Sequence, residues 1–198
     1  ADLASGLHLI DISNPASPTL TGTYDTSGTA YGVYVSGKYA YVGDYLSGLH
    51  IIDISNPVAP TLAGTYNTDG QVYDIYVSGK YAYVGDNFQG LKIIDISNPA
   101  APSLTGSYTS VSSVRNVYVS GKYAYIGDNV QGLKIIDISN PAAPSLTGTY
   151  NTSGAAFDVY VSGKYAYVGD SDSGLQIIDI SNPAAPSLTG TYDTSGNA

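Results

Sequence analysis

The sequence contains no cysteine, methionine, tryptophan or glutamate and only two phenylalanines. The absence of cysteine excludes disulfide bonds and thiol chemistry. All 16 acidic residues are aspartates, and against seven lysines and arginines they give a formal net charge of -9. Because phosphate binding needs clustered basic residues, this balance disfavours nucleic acid and anionic membrane surfaces as partners. No apolar run approaches the roughly 20 residues that span a bilayer, so no membrane insertion is predicted.

Strand-forming residues dominate the amino-acid composition. The chain has 20 tyrosines, and valine, isoleucine and threonine recur throughout, which predicts an all-β protein. Only 12% of the residues are charged, while tyrosine, threonine, serine and glycine abound, a composition that favours the extracellular space or the cell surface. The chain begins at Ala1 without a methionine or a signal-like segment. We therefore expect that a leader was removed or that the chain is part of a longer protein.

The chain is a tandem repeat with a period of 42 residues. The run Val-Ser-Gly-Lys-Tyr-Ala-Tyr begins at Val35, Val77, Val119 and Val161. A second run, Ile-Asp-Ile-Ser-Asn-Pro, begins at Ile10, Ile52, Ile94, Ile136 and Ile178. A fixed period of this length is typical of repeat architectures, in which each unit buries its apolar faces against its neighbours.

Each repeat is predicted to contain four short strands, labelled a to d in chain order. In the copy from Tyr73 to Tyr108, two β-rich runs flank Ser78-Gly79, which is the signal of a tight hairpin. The run Leu91–Ile96 is almost uninterrupted by polar residues, which predicts a strand buried on both faces. A turn with two prolines separates it from the more polar run Ser103–Tyr108, as expected for an outer edge strand.

Four antiparallel strands per unit of about 40 residues predict the blade of a β-propeller, with a β-solenoid as the alternative. The sequence Tyr-Ala-Tyr-Val-Gly-Asp (Tyr81–Asp86), followed by Gly-Leu-Lys-Ile-Ile-Asp-Ile-Ser-Asn-Pro (Gly90–Pro99), resembles the LVIVD-repeat β-propeller family. The resemblance extends over the whole chain. It implies a propeller fold and, because such repeats occur mainly in bacterial and archaeal surface or secreted proteins, a scaffold role without assigned chemistry.

The repeats do not complete a whole number of blades. Within a single domain over residues 1–198, complete blades are predicted at residues 31–66, 73–108, 115–150 and 157–192, after a half-blade at residues 6–24 with strands c and d only. Strand c of the half-blade then has an unpaired edge, which is a template for pairing with another chain. We expect either a fragment of a longer propeller or an oligomer or filament whose assembly edge is Leu7, Leu9, Asp11 and Ile12.

One face of the predicted propeller varies between repeats and the other does not. The a–b turns are all Ser-Gly and the c–d turns all begin with Ser-Asn-Pro, whereas the b–c loops and the segments leading into strand a differ. Varied side chains on a fixed scaffold are where recognition resides. Neutral variation in solvated loops is the alternative. The predicted ligand-binding surface on the variable face comprises Asp74, Arg115, Asn116, Asp158, Tyr45 and Phe88.

The repeated aspartates are expected to be structural. One set ends strand c (Asp11, Asp53, Asp95, Asp137 and Asp179) and another ends strand b (Asp44, Asp86, Asp128 and Asp170). Both sets are predicted to accept hydrogen bonds from backbone N–H groups in the turns that follow. Calcium is the functional alternative, but no copy has the D-x-D-x-D-G pattern or another metal-ligand spacing, so no metal and no cofactor is predicted.

Few side chains in the sequence could act in catalysis, so we predict that the protein is not an enzyme. His8 and His50 occupy a repeat position that holds lysine or glutamine elsewhere, which predicts a solvent-facing side chain. There is no nucleophile elbow and no phosphate-binding glycine loop. Asp74 and Asp158 at the mouth of the channel offer a glycosidase-like carboxylate pair as an alternative.

Most tyrosines are predicted to pack between blades, because Tyr34, Tyr39 and Tyr41 recur in the hairpin of every complete blade. Tyr31, Tyr45 and Tyr73 are exceptions that suit stacking against a sugar. One glycosylation sequon begins at Asn151.

Together these features predict a non-enzymatic structural protein of the cell surface or extracellular space. It is expected to self-associate, as an oligomer or a filament, through its incomplete blade. The alternative is a recognition module that binds a glycan or a surface protein on the variable face.

Overall fold

The computed structural model describes residues 5–194, and all regular structure in this range is β-strand. The half-blade consists of β1 (Leu7–Asp11) and β2 (Thr19–Tyr24). Blade 1 consists of β3 (Ala30–Ser36), β4 (Tyr39–Asp44), β5 (Gly48–Asp53) and β6 (Thr61–Tyr66). Blade 2 consists of β7 (Asp74–Ser78), β8 (Tyr81–Asp86), β9 (Gly90–Asp95) and β10 (Ser103–Tyr108). Blade 3 consists of β11 (Val114–Ser120), β12 (Tyr123–Asp128), β13 (Gly132–Asp137) and β14 (Ser145–Tyr150). Blade 4 consists of β15 (Ala156–Ser162), β16 (Tyr165–Asp170), β17 (Gly174–Asp179) and β18 (Ser187–Tyr192).

Each complete blade is a four-stranded antiparallel sheet in which strands a to d are neighbours in chain order. The half-blade is a sheet of β1 and β2 alone. The innermost strands β3, β7, β11 and β15 contact one another in sequence, so the blades are arranged around a common axis. The predicted all-β propeller of four complete blades and a half-blade is therefore confirmed.

The turn of the a–b hairpin lies one residue later than the sequence suggests. Ser78 pairs with Tyr81, so the two central residues of the turn are Gly79 and Lys80 rather than Ser78 and Gly79. Gly79 has a φ of 59°, and a positive φ at the first central position is the requirement of a type II′ turn. The glycine that recurs here in every hairpin is thus a condition of the turn.

The core lies between blades, and each blade has two apolar faces that we name by their direction. The trailing face packs on the following blade, and in blade 1 it includes Tyr41, Leu49 and Ile51. The leading face packs on the preceding blade, and in blade 2 it includes Ile75, Val77, Ala82, Val84, Ile94 and Ile96. The same sets meet between blades 2 and 3 and between blades 3 and 4. Burial of these faces is the main source of stability in such a fold.

The recurring hairpin tyrosines pack between blades, as the sequence predicts. Tyr34 and Tyr41 form a cross-strand pair on the trailing face of blade 1. The rings of Tyr34, Tyr76, Tyr118 and Tyr160 form a ladder along the inner strands, with centroids 4.9, 5.1 and 5.2 Å apart. Tilted ring pairs at this separation are favourable beyond the area that they bury.

Candidate functional site

The polar residues predicted at the start of strand a connect one blade to the next. The Asp74 carboxylate accepts hydrogen bonds of 2.9 Å from the Asn116 side-chain amide and from the backbone N–H of Val117. In turn, the Asn116 Oδ1 atom accepts a 3.1 Å bond from the backbone N–H of Val159. The side-chain hydrogen-bonding groups of Asp74 and Asn116 are therefore largely paired within the protein.

Asp158 occupies the same repeat position in blade 4, which is the last complete blade among the described residues. Its carboxylate accepts a 2.9 Å bond from the N–H of its own neighbour Val159, and the residue is exposed. Burial raises the pKa of Asp74 to about 6, and the charge of Asp158 adds a smaller effect in the same direction. The predicted carboxylate pair is thus separated by Asn116, which hydrogen-bonds to one of its members.

An aromatic row lies beside these residues at the start of strand a. We use this name for Tyr31, Tyr45, Tyr73, Arg115 and Phe157. The three tyrosine rings form a triangle with centroids 5.2 to 5.5 Å apart. The Arg115 guanidinium lies 4.2 Å from the centroid of Tyr73 and 6.0 Å from that of Phe157. The row therefore extends across four blades and contains the only arginine of the chain.

Two properties make the aromatic row suitable for recognition. Tyr31 and Phe157 expose 43% and 40% of their surface, so ring faces at both ends are accessible. Stacking on Tyr73 holds the guanidinium of Arg115 in place. The hydrogen bond with Tyr73 raises the pKa of the Tyr45 hydroxyl, so Tyr45 is joined to the row by a polar contact as well.

Phe88 and Asn151 lie elsewhere on the surface. Phe88 is in the b–c loop of blade 2 and is highly exposed, but the ring contacts that define the aromatic row do not involve it. Asn151 is exposed, and its Oδ1 atom accepts a 3.0 Å bond from the N–H of Ser153 in the d–a loop. The structure thus brings Tyr45 and Arg115 together, joins Asp74 to Asn116, and leaves Phe88 apart.

All four aspartates at the end of strand b are buried, and two of them, Asp128 and Asp170, organise the variable loops. The Asp128 carboxylate accepts bonds from the N–H groups of Val130 and Gln131 in its own b–c loop. Its other oxygen accepts a 2.8 Å bond from the N–H of Ser112, in the segment before strand a. The predicted turn role is confirmed for Asp128 and Asp170, each of which also ties two loops of its blade together. It is not confirmed for Asp44, which accepts a bond from the N–H of Thr29 instead, or for Asp86, whose carboxylate oxygens have no hydrogen-bond partner in the described structure.

The prediction of a solvent-facing side chain was wrong for His50, whereas His8 and Lys92 at the same repeat position are partly exposed. His50 is only 8% exposed, and Lys134 and Gln176 at the same repeat position are 4% exposed. The charge of Asp44 acts on His50, and the Gln176 side chain donates a 2.7 Å bond to the backbone oxygen of Thr152. In blades 1, 3 and 4 the position accepts a polar side chain that is buried within the protein, where Gln176 reaches the Thr152 carbonyl of the loop between strands d and a, and not one that reaches solvent.

The aspartates at the end of strand c accept the predicted turn hydrogen bonds and also form ion pairs that sequence reasoning missed. Asp53 accepts bonds from the N–H and the hydroxyl of Ser55. It also lies 2.8 Å from the Lys38 ammonium in the a–b turn. The sequence does contain a pattern that could have predicted these ion pairs, because a lysine and an aspartate recur 15 residues apart in each complete blade. The equivalent pairs are Lys80–Asp95, Lys122–Asp137 and Lys164–Asp179.

The predicted assembly edge has two different sides. The side chains of Leu7 and Leu9 pack on the leading face of blade 1. Ile12 is 70% exposed and points away from this core, as does Ile10. The carboxylate of Asp11 accepts a 2.8 Å bond from the N–H of Ser13. The backbone edge of β1 opposite β2 has no strand beside it in the described part of the chain.

Within residues 5–194, nothing covers the trailing face of blade 4. In β16 and β17, buried residues alternate with partly exposed ones, whereas the same strands of blades 1 and 2 are buried almost continuously. The partly exposed positions include Tyr167, Leu175 and Ile177, and Tyr160 in β15 is exposed as well. Blade 4 is thus packed on one face only, and its strand c does not meet the prediction of burial on both faces.

Among residues 5–194, no group of three or more histidine, cysteine, aspartate or glutamate side chains is placed to hold a metal ion. The same part of the chain contains no helix that is long and apolar enough to cross a membrane.

Solved structures resemble this fold at low sequence identity. A functionally unknown protein from Desulfotomaculum acetoxidans DSM 771 aligns over 98% of the chain and 65% of its own length, with 13% identity and a TM-score of 0.79. The Cps50 (Swd1) β-propeller domain of Myceliophteria thermophila aligns over 99% of the chain and 68% of its own length, with 13% identity and a TM-score of 0.79. The computationally designed Ika4 protein aligns over 76% of the chain and 90% of its own length, with 12% identity and a TM-score of 0.63. The chain thus spans about two thirds of the two natural structures, and the similarity concerns the fold alone.

No curated protein matches the sequence significantly. The profile of the LVIVD repeat matches five consecutive segments, at residues 1–26, 27–68, 69–110, 112–152 and 153–194. These segments cover almost the whole chain and coincide with the half-blade and the four blades. The chain belongs to the LVIVD repeat family.

Proposed function

We propose that this protein is a non-enzymatic structural protein of the cell surface or extracellular space whose copies associate head to tail. The trailing face of blade 4 in one copy packs on the half-blade of the next. The observation that carries this proposal is the uncovered trailing face, since its residues repeat those that blades 1 to 3 bury between blades. Tyr125 and Ile135 are buried at positions where Tyr167 and Ile177 are not.

The half-blade offers the complementary surface. Ile96, Ile138 and Ile180 are each 5% exposed and pack against the preceding blade, whereas Ile12, at the same repeat position, is 70% exposed. Each copy therefore has one donor face and one acceptor face. Contacts of this heterologous kind produce a closed ring if the rotation closes and a filament if it does not.

Composition supports the location and the structural role. Few charged residues and a high content of tyrosine, threonine, serine and glycine suit an extracellular scaffold. The uncovered apolar strands would be a liability in a monomer, because such surfaces promote association. Head-to-tail association, with the packing that the blades use within one chain, covers these apolar strands.

The test measures the absolute mass of the chain by light scattering over a concentration series, with electron microscopy of the same samples. We expect species heavier than the 20.5 kDa chain, seen as rings or fibres. Ile12→Asp should return the protein to a monomer, because it places a charge in the contact surface. Val58→Asp is the matched control, since Val58 is also 70% exposed but lies in a c–d loop. A wild type that stays monomeric, or an Ile12→Asp variant that assembles unchanged, would overturn the proposal.

The aromatic row favours a second candidate function, a module that binds a glycan or a surface protein on the variable face. Ring faces at Tyr31 and Phe157 and the fixed guanidinium of Arg115 combine apolar stacking surface with a hydrogen-bond donor. A glycan array followed by titration of any ligand that binds would test this candidate.

A further inference from the structure

Three buried side chains of blade 1 and the loop before it carry polar atoms that have no partner. Asp44, Thr26 and His50 are 0%, 1% and 8% exposed. The Asp44 Oδ2 atom, the Thr26 Oγ1 atom and both ring nitrogens of His50 are buried and have no hydrogen-bond partner in the described structure. Because buried polar groups are nearly always paired in native proteins, these atoms indicate a binding site.

The pairing of β4 with β5 places Asp44 and His50 on one face of blade 1. His50 lies opposite Val42, and Asp44 lies opposite Gly48. Asp44 is therefore the diagonal neighbour of His50 across the two strands, a separation that longer side chains can bridge. The charge of Asp44 acts on His50, so the carboxylate and the imidazole are close together.

The loop between β2 and β3 closes over this carboxylate. A Cβ atom on Gly28 would lie 2.0 Å from the Asp44 Oδ1 atom, and the backbone N–H of Thr29 donates a 3.3 Å bond to the same oxygen. Thr26 lies in the same loop, and the Ser27 hydroxyl donates a 2.7 Å bond to its carbonyl oxygen. The loop thus engages one oxygen of the carboxylate and leaves the other unpaired.

Blade 2 shows how the repeat supplies a counter-charge at this place. The three equivalent positions hold Thr68, Asp86 and Lys92. Burial raises the pKa of Asp86, whereas Thr68 and Lys92 lower it, so the hydroxyl and the ammonium both lie near the carboxylate. In blade 1 the imidazole of His50 replaces the ammonium, and burial lowers the pKa of that imidazole. A neutral His50 provides no positive charge for the buried carboxylate.

Blade 4 shows that the side chain at this position also reaches the loop. Gln176 occupies the position of His50 and donates a 2.7 Å bond to the carbonyl oxygen of Thr152. Thr152 is the repeat equivalent of Thr26. His50 therefore lies on the same face as Asp44 and beside the loop that contains Thr26.

From these observations we infer that blade 1 binds a divalent transition-metal ion, for which Zn²⁺ is the best match. Imidazole nitrogen and carboxylate oxygen are zinc ligands, and a dication supplies the charge that a buried carboxylate needs. Asp44 and His50 are the two principal ligands. The hydroxyl and carbonyl oxygens of Thr26 are the further donors. The set has only two side chains of the types that usually hold metals, so no cluster of three is required.

The ion would join the loop before blade 1 to strands b and c of that blade. This loop leads into Tyr31 of the aromatic row, so the ion holds part of the variable face in place. All donor atoms belong to blade 1 and the loop before it. The inference therefore goes beyond the proposed association and does not depend on it.

The test titrates Zn²⁺ into chelator-treated, dilute protein and measures the bound metal by equilibrium dialysis and the thermal unfolding midpoint. We expect one Zn²⁺ per chain and a higher midpoint, because a ligand that binds only the folded state stabilises it. His50→Lys should bind Zn²⁺ weaker by about a hundredfold or more, because it removes a ligand and adds an ammonium. It is a matched variant, since Lys92 and Lys134 show that the repeat accommodates lysine here. His8→Gln removes the other histidine and should bind as the wild type does.

A gain of binding in blade 2 provides the second measurement. Both carboxylate oxygens of Asp86 and the hydroxyl of Thr68 have no hydrogen-bond partner in the described structure. Lys92→His should therefore create an equivalent site and raise the stoichiometry to two Zn²⁺ per chain. Mg²⁺, which prefers oxygen ligands, should not raise the midpoint of the wild type. The inference would be overturned by a wild type that binds no Zn²⁺, by unchanged binding in His50→Lys, by lost binding in His8→Gln, by a single ion in Lys92→His, or by an equal effect of Mg²⁺.

Discussion

The Asp74 carboxylate accepts a 2.9 Å hydrogen bond from the backbone N–H of Val117, a residue of the following blade. The contact joins the inner strands of two blades near the axis. Burial raises the pKa of this carboxyl to about 6, so the folded state favours its protonated form. The unfolded chain has no such preference, because an exposed aspartate titrates near its ordinary value of about 3.9.

Asp74→Asn should therefore stabilise the protein at neutral pH. Asparagine already performs this role at Asn116, whose Oδ1 atom accepts a bond from Val159. Because a raised pKa destabilises the fold as pH rises from about 4 through about 6, the gain should be absent at pH 3.5 and reach up to about 3 kcal/mol at pH 7. Urea unfolding at both pH values measures it. Asp158→Asn is the control at the exposed equivalent, and an equal gain there would contradict the explanation.

His50→Gln should remove a destabilisation that appears in mild acid. Burial lowers the pKa of His50, so the unfolded state binds a proton more readily and stability falls as pH drops below about 6.5. Neither ring nitrogen has a hydrogen-bond partner in the described structure, whereas Gln176 donates to Thr152 at 2.7 Å. We expect the variant to be more stable by about 1 kcal/mol at pH 7 and the gap to widen at pH 5.5.

The reciprocal variant Gln176→His is the control for this position. It should lose the bond to Thr152 and become more sensitive to acid than the wild type. Comparing each variant with the wild type at the same pH cancels the opposite trend that Asp74 contributes. If His50→Gln left the acid dependence unchanged, the buried histidine would not be its source.

Arg115 is the residue whose replacement best separates recognition from scaffolding. If the aromatic row binds a glycan, Arg115→Ala should weaken binding by about tenfold or more, because it removes a fixed donor and a stacking surface. Arg115→Lys keeps the charge but not the planar contact with Tyr73 and should be intermediate. Phe88→Ala removes an exposed aromatic side chain outside the row and should leave binding unchanged. An equal loss in Phe88→Ala would place binding in the loops instead.

The period of the repeat was sufficient to predict the blades, because each unit of 42 residues carries the same alternation of strand and turn signals. It also predicted the incomplete blade, since the count of strand runs is visible along the chain. Side-chain environments were harder to predict. The repeat position of His50 holds histidine, lysine or glutamine in different repeats, and only the three-dimensional packing shows that the side chains of His50, Lys134 and Gln176 are buried rather than in solvent.

The sequence predicted only part of the aromatic row, for a similar reason. Tyr73 and Arg115 are 42 residues apart, and nothing in a linear pattern states that their side chains stack. Contacts between equivalent positions of successive blades depend on how closely the inner strands approach. The bonds from Asn116 to Asp74 and from Val159 to Asn116 have the same origin. A repeat predicts which positions are equivalent, whereas the radius of the propeller decides which of them touch.

Gly190→Ala tests the proposed head-to-tail contact without disturbing the monomer. A Cβ atom on Gly148 would lie 2.1 Å from the carbonyl oxygen of Pro183 in the next blade, whereas a Cβ atom on Gly190 would meet nothing within 4 Å. Neither glycine has a φ in the left-handed region. Gly148→Ala should therefore destabilise the chain by about 1–3 kcal/mol through overpacking, and Gly190→Ala should not.

The two variants should differ in the opposite sense in assembly. If blade 4 packs on the half-blade as the other blades pack on one another, Gly190 meets the carbonyl of Pro15 in the next copy, and an alanine there produces the clash that Gly148→Ala produces within one chain. We expect Gly190→Ala to keep the wild-type unfolding midpoint under dilute, monomeric conditions and to lose the heavier species in light scattering. Assembly that persists unchanged in Gly190→Ala would mean that the copies meet through a different surface, because a contact of the repeat type leaves no room for that methyl group.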